Sequence, residues 1–263
     1  MKKTAILSIL ALAICLGCKG DKKGKEETVE SEIPLEIKAE PSLEIIPVEH
    51  ASAVLQWGDL TLYMDPVGEK ALYGGQQAPD LILITDIHGD HFSLETLQAL
   101  DTKNTTLVVP QAVADQLPAD SGFTVEIMAN GEQREVLGVG IEAIPMYNLR
   151  EEALKFHDKG RGNGYVLTLG GERIYFSGDT EDIPEMRALA DVDKAFVCMN
   201  LPYTMTVESA ADAVIEFKPL EVYPYHYRGS PDVSDVKRFK ELVNAGDPNI
   251  KVVQLDWYPK DDF

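Results

Sequence analysis

The segment Thr85-Asp86-Ile87-His88-Gly89-Asp90-His91 places four groups able to bind a metal within six residues, Asp86 to His91. Left to themselves these groups would be costly, because like charges repel and a carboxylate withdrawn from water needs a partner. A divalent cation removes both difficulties. Imidazole nitrogen and carboxylate oxygen together suit zinc first, with manganese or iron as alternatives. Two other places repeat the arrangement. Residues 174–176 run into Ser177-Gly178-Asp179-Thr180, where Gly178 permits a tight turn that aims Asp179, and residues 220–223 run into Pro224-Tyr225-His226. The chain has five histidines, and His88, His91 and His226 all lie in these segments. The expectation is a centre of one or two divalent ions built from His88, Asp90, His91, Asp179 and His226. The plain alternative for the first segment is a solvated polar loop leading into a helix.

Ligand-type residues just beyond apolar runs imply strands that hold them. The patterning predicts strands over 43–48, 53–57, 60–64, 81–85, 106–109, 124–127, 140–146, 165–169, 173–176, 220–223 and 251–254. Gly58-Asp59 marks a hairpin between the second and third of these. Helices are predicted from about Ser93, over 111–116, over 207–217 and over 232–245. Strand runs punctuated by helices give an α/β chain with helices packed outside sheets.

The N-terminus reads differently. Lys2 and Lys3 precede an apolar run of 13 residues, 4–16, shorter than the roughly 20 that a spanning helix needs and suited to a signal-peptide core. It ends at Leu16-Gly17-Cys18, which resembles the lipobox of bacterial lipoproteins, with Cys15 where leucine is usual. That resemblance implies a signal peptide over 1–17 and a lipidated Cys18. Residues 18–42, rich in Lys, Glu and Gly, would form a flexible tether to a folded domain over 43–263. The protein would then sit in the bacterial cell envelope, on the membrane through its lipid anchor only. An ordinary cleaved signal or an uncleaved anchor is the alternative.

The formal charge is −20, with 24 basic and 44 acidic residues. Such a field repels phosphate backbones, so no nucleic-acid partner is expected. The third cysteine, Cys198, lies in the apolar run 195–199 and reads as core in preference to a ligand or nucleophile.

Residues 81–91, 173–180 and 220–226, in that order, resemble the successive metal-binding motifs of the metallo-β-lactamase fold. Asn163-Gly164-Tyr165 and Arg173-Ile174-Tyr175 are similar to the branch that includes ascorbate-6-phosphate-lactonase-like proteins. The resemblance runs over residues 43–257 and implies a four-layer αββα sandwich with the site along one edge of its two sheets. The family loop has the form His-x-His-x-Asp-His. Asp86 stands at its first histidine, and His88, Asp90 and His91 match. The next family ligand is a histidine where Ala143-Ile144-Pro145-Met146-Tyr147 leads instead to Asn148. Asp179 matches the metal-bridging aspartate and His226 the final histidine. One metal position is thus complete in Asp90, His91, Asp179 and His226. The other keeps His88 and the shared Asp179, with Asp86 and Asn148 as substitutes. His157, in the polar stretch 156–160, either fills that gap or is an exposed loop histidine. His50 and Asp65 read as supporting residues.

The implied reaction is metal-assisted hydrolysis of a small molecule. A metal-bound hydroxide, held and oriented by Asp90, would attack an ester, lactone, amide or phosphoester. Arg150, Lys155, Lys159 and Arg161 either bind an anionic substrate group or form a solvated surface. The alternative function is a metal-binding envelope lipoprotein with little or no turnover.

Overall fold

Residue alternation along the first half of the domain shows how it is layered. Leu62 and Met64 pack into one core and Tyr63 into another. The same split divides Leu81 and Leu83 from Ile82, and Val108 from Leu107 and Val109. Successive side chains of a strand point to opposite faces, so these strands are apolar on both sides and must be covered on both.

The computed structural model describes residues 41–259. The signal peptide and Cys18 expected within 1–18, and most of the tether expected over 18–42, lie outside the described residues. Strands β1 (Leu43–Glu49), β2 (Ser52–Trp57), β3 (Leu60–Met64), β4 (Leu81–Leu83), β5 (Thr106–Val109) and β6 (Thr124–Ile127) form a six-stranded sheet in sequence order. Strands β7 (Gln133–Val136), β8 (Val139–Met146), β9 (Gly162–Leu169), β10 (Glu172–Phe176), β11 (Lys194–Val197), β12 (Glu221–Pro224) and β13 (Lys251–Val252) form a seven-stranded sheet in the same manner. Each sheet begins antiparallel and turns parallel, at β3 in the first and at β10 in the second.

Helices α1 (Leu94–Ala99) and α2 (Gln111–Ala114) follow strands of the first sheet, and Leu97 and Val113 pack with its outer core. Helices α3 (Pro184–Arg187), α4 (Val207–Phe217) and α5 (Val236–Gly246) follow strands of the second, with Met186, Val214 and Phe239 in the larger core shared by both sheets. The architecture is the expected αββα sandwich. Side chains of Ser93, Thr206 and Asp235 accept from the backbone N–H groups of Thr96, Ser209 and Arg238, which caps α1, α4 and α5. The Asp235 cap is why the last helix starts at Val236 and not at 232. Two elements escaped the sequence patterning. Strand β7 is Gln-Arg-Glu-Val, a polar edge strand without an apolar alternation, and α3 is a single turn. Among the described residues no helix is long and apolar enough to cross a membrane.

Phe176, Phe196 and Tyr223 stack side by side across β10, β11 and β12, with ring centroids 4.2 Å and 4.7 Å apart. This ladder stiffens the parallel strand ends just before Ser177, Cys198 and Tyr225. The turns that follow are therefore held on a rigid edge.

Candidate metal centre

Four strand ends deliver the centre. Asp65 follows β3, the loop 84–91 follows β4, Ser177-Gly178-Asp179 follows β10, and Tyr225-His226 follows β12. His50 lies between β1 and β2. Turning so sharply leaves backbone in the left-handed region. His50, Asp65 and His226 have φ of 58°, 42° and 47°, three of six non-glycine residues with positive φ among the described residues. Such conformations cost of order 1–3 kcal/mol each and persist where surrounding structure over-determines them. Gly178, at φ 59°, shares the region, and a Cβ there would meet Met146 Sδ at 2.5 Å. No larger residue fits the turn that aims Asp179.

Asp90, His91, Asp179 and His226 each offer one ligand atom, all within 4.8 Å of one another. His226 Nε2 lies 3.0 Å from His91 Nε2, 3.3 Å from Asp179 Oδ1 and 3.4 Å from Asp90 Oδ2, and His91 Nε2 lies 3.4 Å from Asp179 Oδ2. Most of these separations are long for hydrogen bonds. They are of the size, roughly 3.3 Å, of the separations between neighbouring ligand atoms around an ion with the ~2.0–2.1 Å bonds of zinc to nitrogen and oxygen. His91 Nε2 lies 4.0 Å from Asp90 Oδ1. Asp179 Oδ1 is buried with no hydrogen-bond donor, which a buried carboxylate oxygen tolerates poorly unless a cation meets it. These residues fit a divalent ion.

The charges agree. Burial alone would raise the Asp179 pKa, yet His226, His91 and a hydrogen bond from His157 carry it well below the usual carboxylate range. Burial also opposes a charge on His91, but Asp179 and Asp65 outweigh it and hold that imidazole well above its ordinary value. His50 goes the other way, pushed down to about 4 by burial and by His226 beside it. The Arg228 backbone N–H donates to the Tyr258 hydroxyl, which in turn donates to His50 Nδ1 at 2.6 Å. That leaves His50 Nε2–H facing Asp90 Oδ2 at 3.4 Å, while its ring lies 3.8 Å from that of His226.

A neighbouring group comprises Asp86, His88 and His157. His157 is buried, with Nε2 3.2 Å from Asp179 Oδ2, so it is not an exposed loop histidine. Asp86 has a prior engagement. Its Oδ2 is 2.7 Å from His88 Nδ1, and Arg161 donates to it through Nε at 3.1 Å and Nη2 at 2.9 Å. The first of these contacts mirrors Asp65, whose Oδ2 lies 2.8 Å from His91 Nδ1. In both pairs a buried carboxylate lies against Nδ1 and turns Nε2 outward, an arrangement that orients and strengthens a ligating histidine once a metal displaces the Nε2 proton. Asn148 has its amide nitrogen occupied, while its Oδ1 is buried with no hydrogen-bond partner. Its Nδ2 donates to Ala153 O at 2.9 Å and Tyr203 O at 2.7 Å, and its backbone N–H donates to His157 O at 3.1 Å. It thereby braces the loop that carries His157.

The basic residues of that loop divide between roles. Arg150 is bound to buried Glu181 at 2.7 Å and to the carbonyls of Pro202 and Thr204, and Arg161 to Asp86, so these two fasten the loop down. Lys155 and Lys159 are exposed, as the solvated-surface reading has it, with Lys159 bound to Glu185 at 2.8 Å. Lys155 lies over the Phe156 ring. Cys198 is fully buried, its Sγ donating to Thr180 O at 3.4 Å and its pKa pushed up to about 12 by burial. It is core, as its sequence setting suggests.

Asp65 was legible only as a supporting residue, although it stands at a strand end like Asp179. It also accepts the backbone N–H and hydroxyl of Thr85 at 2.7 Å and 2.6 Å. A cleft of about 340 Å³ opens over the centre, with His88, Asp90, His157 and Asp179 on one side. Phe156, Asn200 and Tyr203 line the other.

The family described as "Beta-lactamase superfamily domain" matches residues 44–226. A "UPF0173 metal-dependent hydrolase" of Thermococcus onnurineus is 32% identical over 169 residues, covering 62% of this chain and 74% of its own. One from Staphylococcus carnosus is 30% identical over 216 residues, covering 73% and 93%. The crystal structure of a candidate metal-dependent hydrolase from Parabacteroides distasonis superposes with a TM-score of 0.75 at 36% identity, covering 83% of this chain and 94% of that one. The structure of Igni18, a metallo hydrolase from Ignicoccus hospitalis, shares the fold at 22% identity and a TM-score of 0.69.

Proposed function

The chain belongs to the β-lactamase superfamily domain family as a metal-dependent hydrolase, and from that premise we propose that Asp90, His91, Asp179 and His226 hold a divalent ion. His88 and His157, with the shared Asp179, offer a position for another. Zinc suits the donor set best, with manganese or iron as alternatives. A bound divalent ion acidifies a water and polarises the substrate oxygen it meets.

The chain's own residues set the geometry around it. Asp65 and Asp86 fix the rings of His91 and His88. Asp90, with a side chain 41% exposed, borders the cleft, where it accepts a hydrogen bond from the attacking water and orients it. Phe156 and Tyr203 shield the opposite side, their rings 5.0 Å apart. The observation that carries this reading is the convergence of two imidazoles and two carboxylates, one ligand atom from each within 4.8 Å of the others, with Asp179 Oδ1 buried and lacking a hydrogen-bond donor.

Elemental analysis of the full chain, paired with ester, lactone, amide and phosphoester assays before and after chelation, tests it. At least one transition metal per chain and chelator-sensitive turnover are expected. Protein that stays metal-free through titration, or activity indifferent to the chelator, contradicts it. The N-terminal sequence further supports a lipid-anchored protein of the cell envelope, acting on a small-molecule substrate at the membrane surface.

A further inference from the structure

The cleft's chemistry narrows the substrate. Recognition of a phosphoester draws on arginine or lysine, whose charge and donor geometry match phosphate oxygens. No lysine or arginine lines this cleft. Of the nearby candidates, Arg150, Lys159 and Arg161 are spent on Glu181, Glu185 and Asp86, and Lys155 lies over the Phe156 ring without being part of the cleft lining. What faces a substrate instead is a pair of carboxylates, Asp90 and Asp179, on a chain of formal charge −20.

The rest of the lining is aromatic, with neutral donors only, the Asn200 amide and the Tyr203 hydroxyl. Phe156 and Tyr203 form it edge to face. Asn200 Oδ1 accepts the Thr204 hydroxyl at 2.5 Å, which leaves Nδ2 as the amide's donor. The two loops that form this wall also carry Leu149, Leu154 and Leu201, exposed at 48%, 46% and 38%. Exposed leucines on the same loops as the lining residues extend the apolar character of those loops into solvent. A cleft of about 340 Å³ is at the small end of ligand sites.

We infer that this site, read as above as a metal-dependent hydrolase, takes an uncharged carboxylic ester or lactone whose acyl chain lies against Phe156 and Tyr203. The oxygen of water forms the new bond to the acyl carbon, the ester C–O bond breaks, one proton of water ends on the departing alkoxide, and the other passes to solvent as the acid product ionises.

The test uses the full chain loaded with zinc and substrates sharing one leaving group: p-nitrophenyl acetate, butyrate and octanoate, against bis(p-nitrophenyl) phosphate. The expected result is a kcat/KM that rises at least about tenfold from acetate to octanoate, since each buried methylene adds a few-fold. The phosphodiester is expected to lag by at least about a hundredfold. In Phe156→Ala the octanoate-to-acetate ratio collapses toward one. A faster phosphodiester, or a rate blind to chain length, overturns the inference and leaves the hydrolase reading standing. Absence of turnover on every substrate sinks the hydrolase reading itself. The inference is then decided by calorimetric titration with N-methyloctanamide against dibutyl phosphate: tighter amide binding supports it, and equal or tighter phosphate binding overturns it.

Discussion

Arg161 grips Asp86 through two nitrogens, at 3.1 Å and 2.9 Å, on a carboxylate with no solvent exposure. Arg161 itself is only 17% exposed. Removing one partner of a buried pair strands the other, at about 3–5 kcal/mol. Arg161→Met should therefore lower stability by that order in urea titration. The double change Arg161→Met with Asp86→Asn should recover part of the loss. A single variant within 1 kcal/mol of the parent would mean that water reaches Asp86.

Asp65 never needs to touch a metal in order to control one. Asp65→Asn replaces the carboxylate that accepts from His91 Nδ1, and loss of such a partner weakens metal binding by about 10–100-fold. Competition with a chromophoric chelator measures it. Affinity unchanged from the parent would remove Asp65 from the centre.

Two phases are expected when metal is titrated into the stripped protein, because the neighbouring group lacks Asp86 as a free ligand. His157→Ala should weaken only the looser phase, and Asp179→Ala should damage both. Superimposable curves for His157→Ala and the parent would show that His157 holds no metal.

The Cys198 thiol ionises natively near 12, against about 8.5 in an unfolded chain. The native state holds that proton more tightly, so the stability it contributes is complete below about pH 8.5 and is lost as pH climbs toward about 12. Iodoacetamide labelling at pH 8, mapped to Cys198 by mass, should run on the order of a thousandfold slower in folded than in urea-unfolded protein. Equal rates would show the site open.

The anchor rests on sequence alone. Cys18→Ser should release the protein from membranes and abolish acyl labelling, followed by fractionation and mass spectrometry. Unchanged partition, with no acyl group on the parent, would refute it.

These outcomes bear on residues of unequal legibility. Asp90, His91, Asp179 and His226 could be read from the chain because each is a ligand-type residue directly after an apolar run, a local pattern. Arg161 could not, since its partner lies 75 residues earlier and only the packing of β9 beside the loop after β4 joins them. Asp86 sat where the family motif has a histidine, which suggested a ligand; its contacts with His88 and Arg161 add an orienting role that the chain alone does not reveal. Strand order was equally hidden. The runs at 60–64 and 81–85 look alike whether sheets are stacked or open, and only the pairing of β3 with β4 and the face-to-face burial of Leu62 with Val166 decide it.

The family match ends at residue 226, yet His50 N donates to Trp257 O at 3.3 Å, Tyr258 holds His50 Nδ1, and His226 N donates to His50 O at 3.3 Å. The backbone of the last ligand-type residue is thus secured by the final turn of the domain. The segment beyond the family match therefore sets where His50 and His226 stand, so a change at Trp257 or Tyr258 reaches the metal centre through the backbone and not through any ligand atom.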